Sequence, residues 1–181
     1  MRTFLELVRS RRSVRAFDKS AINRKDLELC VEAARLAPSA CNSQPWKFII
    51  IDDAITKKEI AEKVLSGPYK MNEFARESGA FAAIVSEKVK FPAWAGGKIR
   101  KTDFRRIDTG IASEHLVLQA QELGIGSCIL GWFDEPKLKK ILSVPRSKKI
   151  DILIALGYPA RTEFSVKKLK DRDEIVSFNR Y

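Results

Sequence analysis

The segment A-P-S-A-C-N-S-Q-P-W-K-F, residues 37–48, joins a predicted helix to a predicted strand. Two prolines restrict the backbone on either side of its polar centre. Between them lie four side chains that donate or accept hydrogen bonds: Ser39, Asn42, Ser43 and Gln44. The pattern is typical of a rigid polar cradle for a heteroaromatic ring edge or a polyol. It is equally typical of an ordinary turn, in which serine and asparagine satisfy their own backbone.

A second polar segment, R-R-S-V-R at residues 11–15, follows a predicted first helix over residues 4–11. Thr3 and Glu6 have the capping-box spacing that begins such a helix. The three arginines and one serine lie within a single turn, and guanidinium groups bind phosphate oxygens through charge-assisted hydrogen bonds. Alone, the same cluster also fits a solvated helix end, where the helix dipole favours cations.

Composition favours one soluble globular domain over residues 1–181, because no Pro/Gly/Ser-rich linker divides the chain. No apolar run is long enough for a membrane span or a signal-peptide core, so we predict no membrane partner and a cytoplasmic location. The 34 lysines and arginines exceed the 23 acidic residues and give a formal charge of +11. Such a surface attracts anions, with nucleic acid and an anionic cofactor as the two candidates.

Cysteine and histidine content argues against a metal site. The 3 cysteines are widely spaced and the chain has 1 histidine, which leaves too few zinc ligands and fits a reducing compartment. Cys41 as a redox thiol and His115 as a general base are possible functions, but a packed thiol and a core histidine are the favoured interpretations. Trp94 and Trp132 are likewise expected in the core.

Apolar runs predict four strands, at residues 47–51, 80–85, 127–130 and 150–156, the first covered on both faces. Amphipathic patterns predict further helices: after Asn23, at residues 56–65, at residues 103–123 and after Asp134. Residues 88–101 lack periodicity and are expected to form an irregular substrate lid. The alternation indicates an α/β or α+β fold with a layered sheet.

Neither common nucleotide-binding signature is present. Gly124 and Gly126 lie after a helix and before a strand, the reverse of the dinucleotide fingerprint, and the chain has no P-loop. Motifs that recognise nucleic acid are also missing, so we expect no nucleic-acid partner.

Five segments, in order, resemble the nitroreductase-like family of FMN-dependent oxidoreductases. They are R-R-S-V-R at 11–15, A-P-S-A-C-N-S-Q-P-W at 37–46, D-T-G-I-A at 108–112, G-I-G-S-C-I-L-G at 124–131 and A-L-G-Y-P at 155–159. The resemblance spans nearly the whole chain. It implies an α+β, three-layer α-β-α sandwich that forms an intertwined homodimer with two FMN molecules at the interface.

The resemblance also implies cofactor-binding residues. The FMN phosphate and ribityl chain would contact Arg11, Arg12, Ser13 and Arg15. The isoalloxazine ring would lie against Pro38, Ser39, Ala40 and Asn42 of the other subunit. The flavin N5 and O4 edge would face the backbone of Leu130 and Gly131. The resemblance further implies Asn72 at the flavin edge and the basic pair Lys168 and Lys170 near the phosphate.

The implied activity passes reducing equivalents from NADH or NADPH through flavin N5 to a small-molecule acceptor, such as a nitroaromatic or a quinone, by ping-pong kinetics. No catalytic side chain is required, because the Gly131 backbone would orient the flavin. Three alternatives stay open: a flavin carrier or sensor without turnover, a dehalogenase, and a flavin-fragmenting enzyme. The sequence does not identify the acceptor or the preferred nicotinamide.

Overall fold

The central layer of the molecule is an antiparallel sheet built from the four apolar runs that the sequence predicts as strands. The computed structural model describes residues 3–161 and 164–181. The strands are β1 (Trp46–Ile51), β2 (Ala80–Ser86), β3 (Gly126–Leu130) and β4 (Lys149–Gly157). Their order is β1-β2-β4-β3, and every neighbouring pair is antiparallel. With the surrounding helices, this sheet gives an α+β fold.

Helices form the two outer layers. The helices of the described residues are α1 (Phe4–Ser10), α2 (Arg24–Arg35), α3 (Ala54–Lys63), α4 (Phe91–Arg100), α5 (Phe104–Glu122), α6 (Glu135–Ile141) and α7 (Arg172–Ile175), with 3₁₀ segments at Ala40–Asn42 and Gly67–Glu77. Of these, α2 and α5 pack on one face of the sheet and α3 and α6 on the other. The capping box at Thr3 and the N-caps at Asn23 and Asp134 are confirmed. None of the helices among the described residues combines the length and apolar character needed to cross a lipid bilayer.

The alternation of side chains along β2 produces two separate cores. Phe81, Ala83 and Val85 face a core shared with α3, α6 and the longer 3₁₀ segment. Ala82 and Ile84 face the opposite core, which α2 and α5 cover. Successive strand residues point to opposite faces, so one apolar run supplies both cores. The expected three-layer α-β-α sandwich is therefore confirmed.

Two expectations need correction. Residues 88–101 are not irregular, because Phe91–Arg100 forms α4. Pro92 occupies the first turn of this helix, where a backbone N–H has no helical partner to lose. Strand β1 is only partly covered, since it lies at the edge of the sheet and Ile51 is its one buried residue.

Four residues lie outside the described part of the chain: Met1, Arg2, Thr162 and Glu163. All four fall within the single domain predicted over residues 1–181, and none of them is a predicted site residue. The longer 3₁₀ segment and α7 were not predicted from the sequence. Helix α3 begins two residues earlier than expected, because the Asp53 side chain accepts a hydrogen bond from the backbone N–H of Thr56.

Candidate functional site

The arginine turn, residues 11–15, is fixed by its backbone to strand β3. The N–H of Val14 donates to the carbonyl of Ser127 at 2.9 Å, and Ser13 forms a parallel bridge with the same residue. Gly126 permits this close approach, since a Cβ there would lie 2.7 Å from Cγ2 of Val14. The buried Val14 side chain anchors the turn and leaves Ser13 and Arg15 exposed.

The guanidinium groups of this turn are only partly neutralised. Nε of Arg11 lies 3.6 Å from a carboxylate oxygen of Glu114, while Arg12 donates to the backbone carbonyls of Arg9 and Arg11. Nε of Arg12 is buried without a hydrogen-bond partner among the described residues. A buried donor without a partner costs free energy, so this atom needs a ligand or water.

One lysine of the C-terminal tail joins the arginines. Nζ of Lys167 donates to the carbonyl of Val8 at 2.9 Å. The pKa of Lys167 is lowered, first by burial and then by the neighbouring cations Arg12 and Arg11. We call Arg11, Arg12, Arg15 and Lys167 the basic cluster. Repulsion among its charges would be relieved by a bound anion.

The expected basic pair, Lys168 and Lys170, is exposed, and the structure brings Lys167 to the arginines instead. Sequence reasoning missed Lys167 because a run of basic residues does not show which member faces inward. Its position beside the two expected lysines was the only available signal.

The end of β3 lies next to a polar cavity. Leu130 is buried and Gly131 is exposed. Apart from Gly131 itself and its two chain neighbours, no described residue has an atom within 4 Å of the position that a Cβ would occupy. The side-chain amide of Asn72 donates to the carbonyl of Trp132 at 2.7 Å, and so fixes the chain directly after Gly131. The structure therefore gives Asn72 a backbone partner at this position.

The cavity beside Gly131 has a volume of about 470 Å³ and is lined by residues of α5, β4 and the chain after β3. Thr109 is one of the lining residues, and its Oγ1 is buried without a hydrogen-bond partner among the described residues. Arg106 lies at the same cavity and 3.7 Å from a carboxylate oxygen of Asp103. Thr109 belongs to the D-T-G-I-A segment that the sequence analysis singled out, but its place at this cavity was not predicted.

The second set of expected site residues forms a loop whose polar groups bind one another. We call residues 38–44 the cradle loop. The backbone N–H of Gln44 donates to Oγ of Ser39 at 2.9 Å, and the side-chain amide of Gln44 donates to Oδ1 of Asn42 at 2.8 Å. Oγ of Ser43 donates to the carbonyl of Ala40 at 2.6 Å. The loop is thus held internally, and Pro38 is exposed at its start.

Three residues of the cradle loop, all within positions 41–44, adopt left-handed backbone angles. The φ angles are +52° at Cys41, +49° at Asn42 and +49° at Gln44. Such angles are unfavourable for residues other than glycine, although asparagine tolerates them better than most. Backbone strain of this kind persists only where the surroundings fix it, and it clusters at ligand sites.

Asp108 of α5 fixes the cradle loop from outside. Its carboxylate oxygens accept hydrogen bonds from the backbone N–H of Ala40 at 3.1 and 3.2 Å. Burial raises the pKa of Asp108, and the Ala40 N–H opposes that shift. This residue was part of a quoted motif, but its role as the support of the loop was not predicted.

The basic cluster and the cradle loop contact different sides of α5. Asp108 supports the loop and Glu114 contacts Arg11, and the two acids are six residues apart. In an α-helix that spacing is about 9 Å along the axis and roughly 120° around it. The two sets of expected site residues are therefore attached to different sides of one common helix.

The sequence model of the nitroreductase family matches residues 8–158 of the chain, which include the arginine turn, the cradle loop and the end of β3. The chain belongs to the nitroreductase family. Membership of this family makes the protein an oxidoreductase enzyme.

Individual nitroreductase relatives cover most of the chain. A protein of Archaeoglobus fulgidus, named as a candidate NADH dehydrogenase/NAD(P)H nitroreductase, is 32% identical over 88% of this chain and 87% of its own. An iodotyrosine deiodinase of Thermotoga neapolitana is 25% identical over 88% of this chain and 90% of its own.

Solved structures agree with the fold. A nitroreductase family protein of Clostridium novyi NT superposes with a TM-score of 0.73 at 30% identity, covering 87% of each chain. An FMN-dependent nitroreductase of Clostridium difficile gives a TM-score of 0.77 at 24% identity, covering 98% of this chain and 100% of its own. At that identity the second match supports the fold alone.

In this nitroreductase family chain, several residues differ from their expected surroundings. Cys41 is exposed rather than packed, because the left-handed turn leaves its side chain at the surface. Trp94 and Trp132 are 51% and 55% exposed rather than core residues.

Nδ1 of the partly buried His115 lies 3.2 Å from the carbonyl of Ala33, in line with a structural role. Burial raises the pKa of Cys30 to about 12, which makes it an inert thiol.

Proposed function

We propose that this enzyme binds FMN and passes reducing equivalents from NADH or NADPH to a small-molecule acceptor such as a nitroaromatic or a quinone. The observation that carries the proposal is the basic cluster beside β3, whose positive charges repel one another. The arginine turn pairs with β3, the strand that ends directly before the exposed backbone of Gly131. The donor set suits a phosphate monoester, because guanidinium and ammonium groups both bind phosphate oxygens strongly.

The residues fit FMN in three ways. Arg11, Arg12, Arg15 and Lys167 would hold the phosphate, with the exposed Ser13 beside it. The buried Nε of Arg12 is a donor without a partner within residues 3–161 and 164–181. Gly131 offers an open backbone edge at the end of β3. The cradle loop, with Pro38, Ser39, Ala40 and Asn42, would form a rigid wall for the flat ring.

When bound, FMN would supply the redox chemistry, accepting reducing equivalents and donating them to the second substrate. The protein's part is to bind, orient and exclude water. The N–H of Gly131 would orient the ring edge, and the nearby cations would stabilise negative charge on the reduced ring. No side chain is required as an acid or base.

We propose that two chains assemble so that each FMN lies between the basic cluster of one and the cradle loop of the other. Two features support this arrangement. Within one chain the two sets are attached to α5 at positions roughly 120° apart around the helix axis. In addition, much apolar surface is exposed: a groove of about 520 Å³ between α1 and α5, and tail side chains including Val166, Leu169 and Phe178. Exposed apolar patches of this extent mark interaction surfaces.

The first experiment tests the cofactor. Purified protein should be yellow, or become so with added FMN, and its flavin absorbance should bleach under NADH or NADPH without oxygen. Adding a quinone should then restore the colour. A colourless preparation that cannot be reconstituted with FMN contradicts the proposal, and bleaching without turnover would indicate a flavin carrier or sensor.

The second experiment tests the shared site. Arg15→Ala and Asn42→Ala should each weaken FMN retention, and mixed subunits should restore about one site in four, because half of random dimers are heterodimers with one intact site each. No recovery on mixing, or a flavin-loaded monomer in sedimentation, contradicts the shared site.

A reductive dehalogenase is the second candidate, favoured by the similarity to the Thermotoga neapolitana deiodinase. Iodide release from an iodinated phenol, measured beside quinone reduction on the same preparation, distinguishes the two activities. The cytoplasmic location stays a prediction.

A further inference from the structure

A large cavity between α4 and α5 lies outside the basic cluster and has no part in holding FMN as described above. Its volume is about 960 Å³, within the usual range for small-molecule sites. The two helices are joined by a tight turn: the N–H of Thr102 donates to the carbonyl of Gly97 at 2.8 Å. A Cβ at Gly97 would lie 2.6 Å from the carbonyl oxygen of Thr102, so only glycine fits there.

The wall of this cavity is aromatic. Phe91 and Trp94 of α4 lie with their ring centroids 5.8 Å apart, and Phe104 of α5 lines the same cavity. Phe91 is 73% exposed and Trp94 is 51% exposed, so the two adjacent rings present one apolar surface that a ligand can cover. Flat aromatic molecules pack well against such rings.

The rim of the cavity is cationic and largely unneutralised. Lys88, Lys98 and Lys101 line it, and among the residues that the structure describes no carboxylate pairs with any of them. The one acid of the lining, Asp103, is already engaged by two hydrogen bonds of 2.9 Å from Arg105. The rim therefore offers free positive charge to a ligand and no free negative charge.

The cavity adjoins the cradle loop. Lys90, at the start of α4, donates its backbone N–H to Oγ of Ser43 at 3.1 Å. A molecule bound against Trp94 would thus lie beside the wall assigned to the flavin ring. This position suits the second substrate of the proposed reaction.

We propose that the cavity between α4 and α5 binds an aromatic acid, a planar ring carrying a carboxylate or similar anionic group, with the ring on Phe91 and Trp94 and the anion at Lys98 and Lys101. As an assignment of the acceptor class, it rests on the proposed function. As a binding site, it stands on the cavity alone.

The test compares two ligands of the same shape and different charge, 1-naphthoate and 1-naphthamide, by calorimetric titration of the purified protein as isolated. Naphthoate should bind about 10-fold more tightly, as one or two charge-assisted contacts would give. The double variant Lys98→Gln/Lys101→Gln should abolish that preference and leave naphthamide affinity within about 2-fold. Trp94→Ala should weaken both ligands.

The control variant is Lys25→Gln/Lys140→Gln, which removes the same charge from exposed positions that do not line the cavity. It should keep the preference for naphthoate. Equal affinity for the two ligands, or a preference that survives Lys98→Gln/Lys101→Gln, overturns the proposal. The proposal is also overturned if neither ligand binds and the Phe91→Ser variant dissociates into monomers. The cavity would then belong to the subunit interface.

The outcome is separable from that of the proposed function. Quinone reduction by NADH or NADPH reports the flavin site, and a protein without flavin can still be titrated with naphthoate. A preparation that reduces a neutral quinone but binds the two naphthyl ligands equally would refute the aromatic-acid site alone.

Discussion

The basic cluster and the cradle loop differ in what each lacks. The basic cluster is firmly attached through the backbone of Val14, yet its charges repel one another and Nε of Arg12 has no hydrogen-bond partner in the part of the chain that the structure describes. In the cradle loop the side chains already bind one another, and the unfavourable energy lies in its left-handed backbone. The first region is therefore incomplete without an anion, whereas the second is a finished surface held ready for a ligand.

The largest expected effect comes from removing charge at the basic cluster. Arg15→Ala should weaken FMN binding by about 10- to 100-fold, because hydrogen bonds to charged groups contribute roughly 1.5–3 kcal/mol. Titration of the apoprotein, followed by quenching of FMN fluorescence, gives the dissociation constant. Arg9→Ala is the matched control, since Arg9 is exposed in the last turn of α1 and the change in net charge is the same. If both variants lose FMN affinity equally, the basic cluster attracts FMN only through general surface charge and not through direct contacts.

The next effect removes the external support of the cradle loop. Asp108→Ala leaves the N–H of Ala40 without its acceptor, and we expect a loss of about 1–3 kcal/mol in the free energy of unfolding, measured with urea. FMN binding should weaken as well, since the loop loses its fixed position. Asp108→Asn retains an acceptor oxygen and should preserve both properties. If Asn behaves as Ala does, the support is the charge rather than the hydrogen bond.

Asp108 also predicts a pH dependence. Burial raises its pKa above the usual 3.8, so the folded state binds this proton more tightly than the unfolded chain does. Its contribution to stability is therefore fully present below pH 3.8 and declines as the pH rises through the raised pKa. In Asp108→Asn this decline should be absent. Urea unfolding of the two proteins at several pH values between about 4 and 7 measures the difference.

A smaller effect distinguishes Lys167 from its neighbours. The lowered pKa of Lys167 means that the folded state disfavours its charged form, so its cost is full at neutral pH and relieved only at alkaline pH. Lys167→Met should therefore stabilise the apoprotein but weaken FMN binding by a few-fold to about 10-fold, with a shallower salt dependence. Lys168→Met, at an exposed position, is the control. If Lys168→Met weakens FMN binding more than Lys167→Met does, the phosphate contact belongs to the predicted pair Lys168 and Lys170 and not to Lys167.

How far the sequence predicts this molecule depends on the range of the interactions involved. Strand β2 and the N-cap at Asn23 were predictable, because each is determined by residues within a few positions. Helix α4 was missed because its proline and glycines obscure the periodicity, and a hydrogen bond from the N–H of Thr102 to the carbonyl of Gly97 closes the turn at its end. The position of Lys167 against Val8 depends on a contact across 159 residues, which no local pattern records.

The candidate site also depends on contacts between residues far apart in the chain. Motif order identified the arginine turn and the cradle loop, but not that Asp108 supports the loop, since that bond joins residues 68 positions apart. Nor could it show Cys41 exposed, because the left-handed turn follows from the hydrogen bonds around it rather than from propensity. Local rules failed where the chain is strained, which is where ligand-binding sites tend to lie.

The smallest expected effect tests whether that strain is needed. Cys41→Gly relieves the unfavourable φ of +52° but gives the unfolded chain more freedom, so the two terms oppose each other and stability should change by less than about 1 kcal/mol. FMN affinity should stay within about 2-fold, because the bonds of Ser39, Asn42 and Ala40 hold the loop without the cysteine. Cys41→Ala keeps the strain and is the matched control. A marked loss of FMN affinity in Cys41→Gly alone would show that the backbone stiffness at Cys41 positions the cradle loop. The rigidity that distinguishes this loop from the basic cluster would then come from one residue and not from the internal hydrogen bonds.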